Sequence, residues 1–383
     1  MGLWQVAGTT SGRWIEIQVW SADGTDLKIL RTWRIGGVMT KAGPVSLECR
    51  PIVCLKEIPP KGAPRNGQAQ TAKLWFDNGT PGDIQLKGDV RLSSQTMRAT
   101  ASSARLLHTS KSLVLMSNAD KTIRGTLFLK DAEITADRIE MSNDEGGTAH
   151  AHGNVLGFAR RGTGLLGAGP KGTVEPVRFA ADALDATRGG DLLHLRKNAR
   201  LWEGGKLLLA DEVISNRAAA TLQALGHVWT TFPARGIKGH KGTAGLKPSD
   251  ELSIVARSLD YDRTSRVAVY KGDVRYTDRA RILSSSVLTV HFDEHNAVQT
   301  VDAAGNVDVA DLVEHRRMSG ETAHFDLAHK IMTLKGPEVR LTDARGNVVT
   351  GTSLTWNGAD GTVAVSGGKN APSETIIHQE ANH

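Results

Sequence analysis

The sequence predicts an all-β protein, an elongated and partly open antiparallel β-jellyroll built from strand repeats of about 30 residues. Three observations predict it: a Gly-(Asp/Asn)-Val phrase that keeps returning, a spacing of two between apolar residues, and no sustained helical period.

The phrase stands at Gly88-Asp89-Val90, Gly153-Asn154-Val155, Gly272-Asp273-Val274 and Gly305-Asn306-Val307, with looser copies at Gly226-His227-Val228 and Gly336–Val339. Gly272 to Gly305 is 33 residues and Gly305 to Gly336 is 31, while Gly88 to Gly153 is 65, about two units. Between the glycines runs a second phrase: "ADEVISN" from Ala210, "ARSLDYDRTSR" from Ala256, "SSVLTVHFDEHN" from Ser285 and "GETAHFDLAHK" from Gly320. Each is a short alternating segment that ends in a turn rich in Asp, Asn and Gly.

Leu288, Val290 and Phe292 alternate with Thr289 and His291; Ala323, Phe325 and Leu327 alternate with His324 and Asp326. Period two puts one face of a strand inward and the other outward. Each unit is therefore two to three strands without a helix. Glycine marks the bend where the chain crosses from one sheet to the other, because it accepts positive φ and close backbone approach. The Asp or Asn after it stabilises the corner by bonding its own backbone. From Thr80 to Gly368 this predicts about 18–20 strands in two facing sheets.

Composition narrows what such a body can do. Aromatics are 5% of the 383 residues, so the core is aliphatic. The net charge of +6 is spread along the chain as a solvated surface. No cluster of Lys and Arg interleaved with aromatics offers a nucleic-acid groove. No window approaches 18 consecutive apolar residues, and the N-terminus lacks a basic region followed by an apolar stretch. Cys49 and Cys54 point to opposite faces if they share a strand, whereas a turn at Pro51 would let them meet as a disulfide in an oxidising compartment. Two thiols do not make a four-ligand zinc site.

A search for catalytic constellations returns little. "GTGLLG" (Gly162–Gly167) spells G-x-G-x-x-G, but no helix follows to present its N-terminus to a pyrophosphate, so it reads as a loop. Lys171 lacks the Gly-Lys-Ser/Thr ending of a phosphate loop. His150 and His152 lie on one face of a strand, without a matched carboxylate or cysteine to complete a metal site. "HFDEH" (His291–His295) is not H-E-x-x-H, and no G-x-S-x-G occurs. No enzyme, metal or cofactor is expected.

The alternation of "A-D-x-L/V" with "V-x-x-x-G-D/N-V" resembles the OstA-like family of lipopolysaccharide-transport proteins, which includes LptA, LptC and the N-terminal domain of the outer-membrane assembly protein. The stretches that carry the likeness are Ala210–Val228, Ala256–Val274 and Gly320–Val339, within about 80–368. The resemblance implies a jellyroll whose apolar interior shelters lipid A acyl chains, as part of a bridge from inner to outer membrane. It implies a periplasmic location, lipopolysaccharide as ligand, and partnership with other OstA-like jellyrolls through strand edges. Lining candidates are Val274, Leu288, Val290, Val307, Val309, Phe325, Met332, Leu334, Val339 and Leu341. Each of these reads equally as core packing.

The length suggests tandem blocks: an N-terminal segment of unassigned structure (1–45), an LptC-like jellyroll (46–165), an OstA/LptA-like jellyroll (166–368) and a disordered tail (369–383). Neither the cleaved signal of LptA-type proteins nor the anchor of LptC-type proteins is visible. Two other readings share the repeat. A structural or adhesive β-array would fill its interior completely. An extracellular β-helix enzyme acting on polysaccharide would need shorter coils of parallel strands and an exposed cluster of acids.

Overall fold

The computed structural model describes residues 4–8, 15–20, 27–41, 43–58, 64–77, 80–142, 147–159, 176–187, 191–232, 252–294, 298–368 and 372–376. Among them there is no helix. The fold is all-β, antiparallel and jellyroll-like, as the repeat predicts.

The chain divides into two compact units, one within Met1–Ala159 and Ala180–Leu195, the other within Arg160–Phe179 and Arg196–His383.

In the first unit β1 (Trp4–Gly8), β2 (Ile15–Trp20), β3 (Leu27–Thr32) and β4 (Arg34–Thr40) occupy the segment left unassigned by sequence. β5 (Gly43–Arg50), β6 (Val53–Ile58), β7 (Arg65–Ala69) and β8 (Thr71–Asp77) lead to two long strands, β9 (Thr80–Ser93) and β10 (Met97–Leu107). β11 (Ser112–Met116), β12 (Gly125–Leu129), β13 (Ala132–Ala136), β14 (Arg138–Ser142) and β15 (Thr148–Ala159) follow.

β9 shows how one chain makes two sheets. Its first half pairs with β8 and its last residues pair with β7. Between them Gly88 and Asp89 both take positive φ, 77° and 45°. β15 repeats the device: Gly153 and Asn154 (φ 78° and 47°) separate a half that pairs with β14 from a half that pairs with β13. Val90 and Val155, the residues after the bends, are 0% exposed. Burying a valine fully is worth about 1.5–3 kcal/mol, so the last letter of the phrase fills the inner angle of the corner.

The turn at Pro51 separates the cysteines onto two strands. Cys49 on β5 faces the core, Cys54 on β6 is exposed, and both are free thiols. Burial pushes the Cys49 thiol up to about 11.

The second unit draws on β16 (Val177–Thr187), β17 (Leu192–Glu203), β18 (Lys206–Asn216), β19 (Thr221–Phe232), β20 (Leu252–Asp262) and β21 (Val267–Thr277). β22 (Arg281–Phe292), β23 (Val298–Asp311), β24 (Arg316–Asp326), β25 (Ile331–Thr342) and β26 (Val348–Asn357) continue it. β27 (Val363–Ser366) and β28 (Glu374–Ile376) end it. From β18 to β26 each strand pairs with the next, and each ladder breaks register at its middle. The bends are Gly226-His227, Gly272-Asp273 and Gly305-Asn306, all at positive φ. Halves before and after the bends form two facing sheets.

Across the inner angle a valine meets a small residue at each rung: Val228 opposite Ala256, Val274 opposite Ser285, Val307 opposite Gly320, and Val339 opposite Gly351. Large against small is what lets strands crowd at a corner at core density. At the hairpin tips an Asp side chain accepts two backbone N–H groups: Asp262 from Thr264 and Ser265, Asp278 from Ala280 and Arg281, Asp311 from Val313 and Glu314, Asp326 from Ala328 and His329. This is the physical content of the Asp-rich turns in the sequence.

β26 is covered by two short strands, β27 on one half and β28 on the other. Within the tail segment Glu374–Ile376 pair through their backbone with Val348–Thr350, and their side chains stay exposed. Residues 369–371 and 377–383, the "GTGLLG" loop and Lys171 lie outside the described residues.

Candidate functional site

The inward faces of the second unit form the candidate site. All ten lining candidates point there and are buried. Leu288, Leu334 and Val339 are 0% exposed and Phe325 and Leu341, the most accessible, are 7%. Their positions follow from register. Leu288 and Val290 lie opposite Ala303 and Val301, which in turn oppose Ala323 and Phe325, and these oppose Leu334 and Met332. The result is an apolar strip, aliphatic except for Phe325, that crosses four consecutive strands on one sheet. On the other sheet Val274, Val307, Val309, Val339 and Leu341 make the matching strip.

Sequence reasoning missed the residues that cross between the sheets. Thr230 on one sheet and Tyr270 on the other share a hydrogen bond of 2.9 Å in the buried interior. Burial raises the Tyr270 phenol well above the ordinary range. Nearer the free margin Phe232 lies 5.8 Å from Phe292 on the opposite sheet, and Tyr261 packs edge-on against Phe292 at 6.0 Å. Burial pushes Tyr261 up to about 12. Period-two alternation carries all of these residues; that they touch depends on how far the two sheets fold together.

The margin is bridged by two arginines. Arg281, at the tip of one sheet, lies with its guanidinium 4.1 Å from the ring centre of Phe325 and 5.3 Å from that of Trp356 on the other. Asp278 is 3.4 Å from its Nη2, and its Nε and Nη1 are buried without a hydrogen-bond partner. Arg316 spans the same gap by donating from Nη1 to the carbonyl of Gly361 at 3.0 Å. Tyr276 donates its hydroxyl to Asp278 at 2.8 Å.

The two phrases of the repeat meet on the outside of the corners. The residue after the Ala of one strand faces the residue after the Gly of the next: Asp137 with Asn154 (3.2 Å), Asp211 with His227 (2.8 Å), and Arg257 with Asp273. Ser286 instead donates to the carbonyl of Gly305 at 3.2 Å.

The histidines singled out by sequence do not converge. His150 Nδ1 lies 2.6 Å from Asp185. His291 and His324 flank Asp302 on the outer face at 3.1 and 2.7 Å. No group of three metal-ligating side chains assembles among the described residues. No helix among them is long and apolar enough to cross a membrane.

Residues 253–362, from β20 to the loop after β26, match the family described as "LptA/(LptD N-terminal domain) LPS transport protein". Over these residues the likeness to lipopolysaccharide-transport proteins read from the repeat is borne out. A solved structure of LptH, described as the LptA homologous periplasmic component of the lipopolysaccharide transport device of Pseudomonas aeruginosa, is 18% identical. The match covers 34% of this chain and 100% of that one, with a TM-score of 0.31. No curated protein matches the chain.

Proposed function

We propose that the protein is a periplasmic component of lipopolysaccharide transport that shelters lipid A acyl chains between the two sheets of its second unit and forms part of a bridge from inner to outer membrane. One observation carries this reading: ten inward residues, Val274 to Leu341, make two facing aliphatic strips inside the segment that matches the transport family. Each methylene kept from water is worth about 0.8 kcal/mol, so a lipid with several acyl chains needs such a strip to leave a membrane. An aliphatic lining holds chains without fixing them at one register, which suits passage. Other OstA-like jellyrolls would join through strand edges, where unpaired backbone groups invite pairing.

The cross-sheet contacts favour a second reading, a structural array with a filled interior. Thr230–Tyr270 and Arg281 over Phe325 and Trp356 tie the sheets together where acyl chains would lie. Photocrosslinking separates the two. A benzophenone side chain at Leu288 or at Phe325 should label with lipopolysaccharide, and one at the outward Arg340 should not. If folded samples stay unlabelled at both inward positions, the interior is a closed core and the transport reading fails.

A further inference from the structure

The outer face of the first unit carries a groove of about 880 Å³, lined by β3, β6, β7, the end of β9, the start of β10, and β12. Register sets two outward rows across it. One runs Arg31, Cys54, Gln68, Arg91, Thr100; the next runs Ile29, Lys56, Asn66, Ser93, Arg98, Phe128. Four cations line the groove and no carboxylate does.

Two of the cations are answered at the rim. Arg31 pairs with Glu16 at 2.8 Å and Arg91 with Asp89 at 2.8 Å. The other two are not: Arg98 lies 5.8 Å from the ring centre of Phe128, and Lys56 has no ion pair among the described residues. The nearest acid along the second row is Glu133, one strand beyond Phe128. Between the cations stand amides and hydroxyls, so the face offers charge, neutral hydrogen-bonding groups and one aromatic ring together. Its volume falls within the range of small-molecule sites, about 300–1,000 Å³.

We propose that this groove binds a phosphorylated sugar, with Lys56 and Arg98 on the phosphate, Gln68 and its neighbours on the ring hydroxyls, and Phe128 against the ring. Lys and Arg make the strong, charge-assisted bonds to phosphate. The concavity suits a discrete headgroup more than a flat bilayer surface. The site lies on the outside of the first unit, apart from the interior assigned to acyl chains, so either assignment can fail without the other.

Cys54 is a built-in reporter, exposed in the first row between Arg31 and Gln68, while Cys49 is 2% exposed. The test uses the whole chain and the rate at which the uncharged reagent N-ethylmaleimide alkylates Cys54. Glucose 1-phosphate should slow alkylation, and glucose or inorganic phosphate at equal concentration should slow it far less. Lys56→Gln and Arg98→Gln should each raise the half-protecting concentration about tenfold, which is about 1.4 kcal/mol, with each variant's protection measured against its own ligand-free rate. No protection by glucose 1-phosphate overturns the proposal, as does protection that persists in the double variant. Equal protection by inorganic phosphate would remove the sugar from the assignment, and equal protection by glucose would remove the phosphate.

Discussion

Nδ1 of His227 lies 2.8 Å from a carboxylate oxygen of Asp211, across the outside of a corner between neighbouring strands. One corner further on the polarity reverses, with Arg257 donating to Asp273. The glycine beneath matters more than the pair above it. Gly272 has φ +80°, and a Cβ there would come 2.8 Å from Cδ of Arg257. Gly272→Ala should therefore lower unfolding free energy by about 1–3 kcal/mol through backbone strain. The exposed pair is worth less than about 1 kcal/mol, so Arg257→Ala should unfold at nearly the wild-type urea midpoint. The reverse order in urea titrations would refute this ranking.

Tyr270→Phe removes a buried hydrogen bond while keeping the ring. The expected loss is about 1 kcal/mol, and Thr230→Val should lose a similar amount. Because the two groups serve one bond, the double variant should lose less than the sum. Additive losses in a double-mutant cycle would show that Thr230 and Tyr270 do not act together.

At the margin, Phe325→Ala should cost about 3–5 kcal/mol, the usual range for emptying a core ring site. Arg281→Met should cost much less. Methionine keeps the packing over Phe325 and Trp356 and removes a partly buried charge with unpartnered N–H groups. Thermal unfolding of the two variants side by side decides the order.

Acid should loosen the hairpin tips. Backbone N–H groups of Ser265 and Thr264 hold the Asp262 carboxyl below its ordinary value of 3.8. The His329 ring, chiefly, does the same for Asp326. A depressed folded-state pKa gives stability that is present above the unfolded value and is lost as pH falls through the folded one. The melting temperature should drop between about pH 4 and pH 2, and Asp262→Asn, which keeps an acceptor oxygen, should make that drop shallower. An unchanged slope in differential scanning calorimetry would show that Asp262 plays no part.

Much of this architecture can be read from the letters. Gly88, Gly153, Gly226, Gly272 and Gly305 all occupy bends at positive φ, because the bend demands a conformation that glycine adopts freely. The corner at Lys197 and Asn198 went unread: both take positive φ, 60° and 53°, with no glycine to mark it. Gly336 misled in the opposite direction. It is followed by Pro337, whose φ is fixed negative, and the ladder there skips from Lys335 to Val339 instead of forming the paired left-handed bend.

The inward face was legible for the same reason as the strands, since period two separates Leu288 from Thr289 without knowledge of the partner strand. What lies opposite was not. Arg281 is ten residues before His291 in the chain, yet it rests on Phe325 and Trp356, and no local pattern encodes a contact set by the closing of two sheets. The groove of the first unit was hidden likewise, because its rows join residues from Ile29 to Phe128 through six strands, β3, β6, β7, β9, β10 and β12, that are not consecutive in the chain.

The glycine bends sit on every second strand of the second unit, β19, β21 and β23, and the strands between carry the small residue that each valine covers. Parity follows from this alternation. Deleting one strand would set two like partners against each other, valine facing valine or small facing small, and would also reverse the direction of everything after it. Deleting or duplicating two restores both. The body can therefore lengthen or shorten only in whole hairpins, and relatives with more or fewer strands are expected to differ by even numbers.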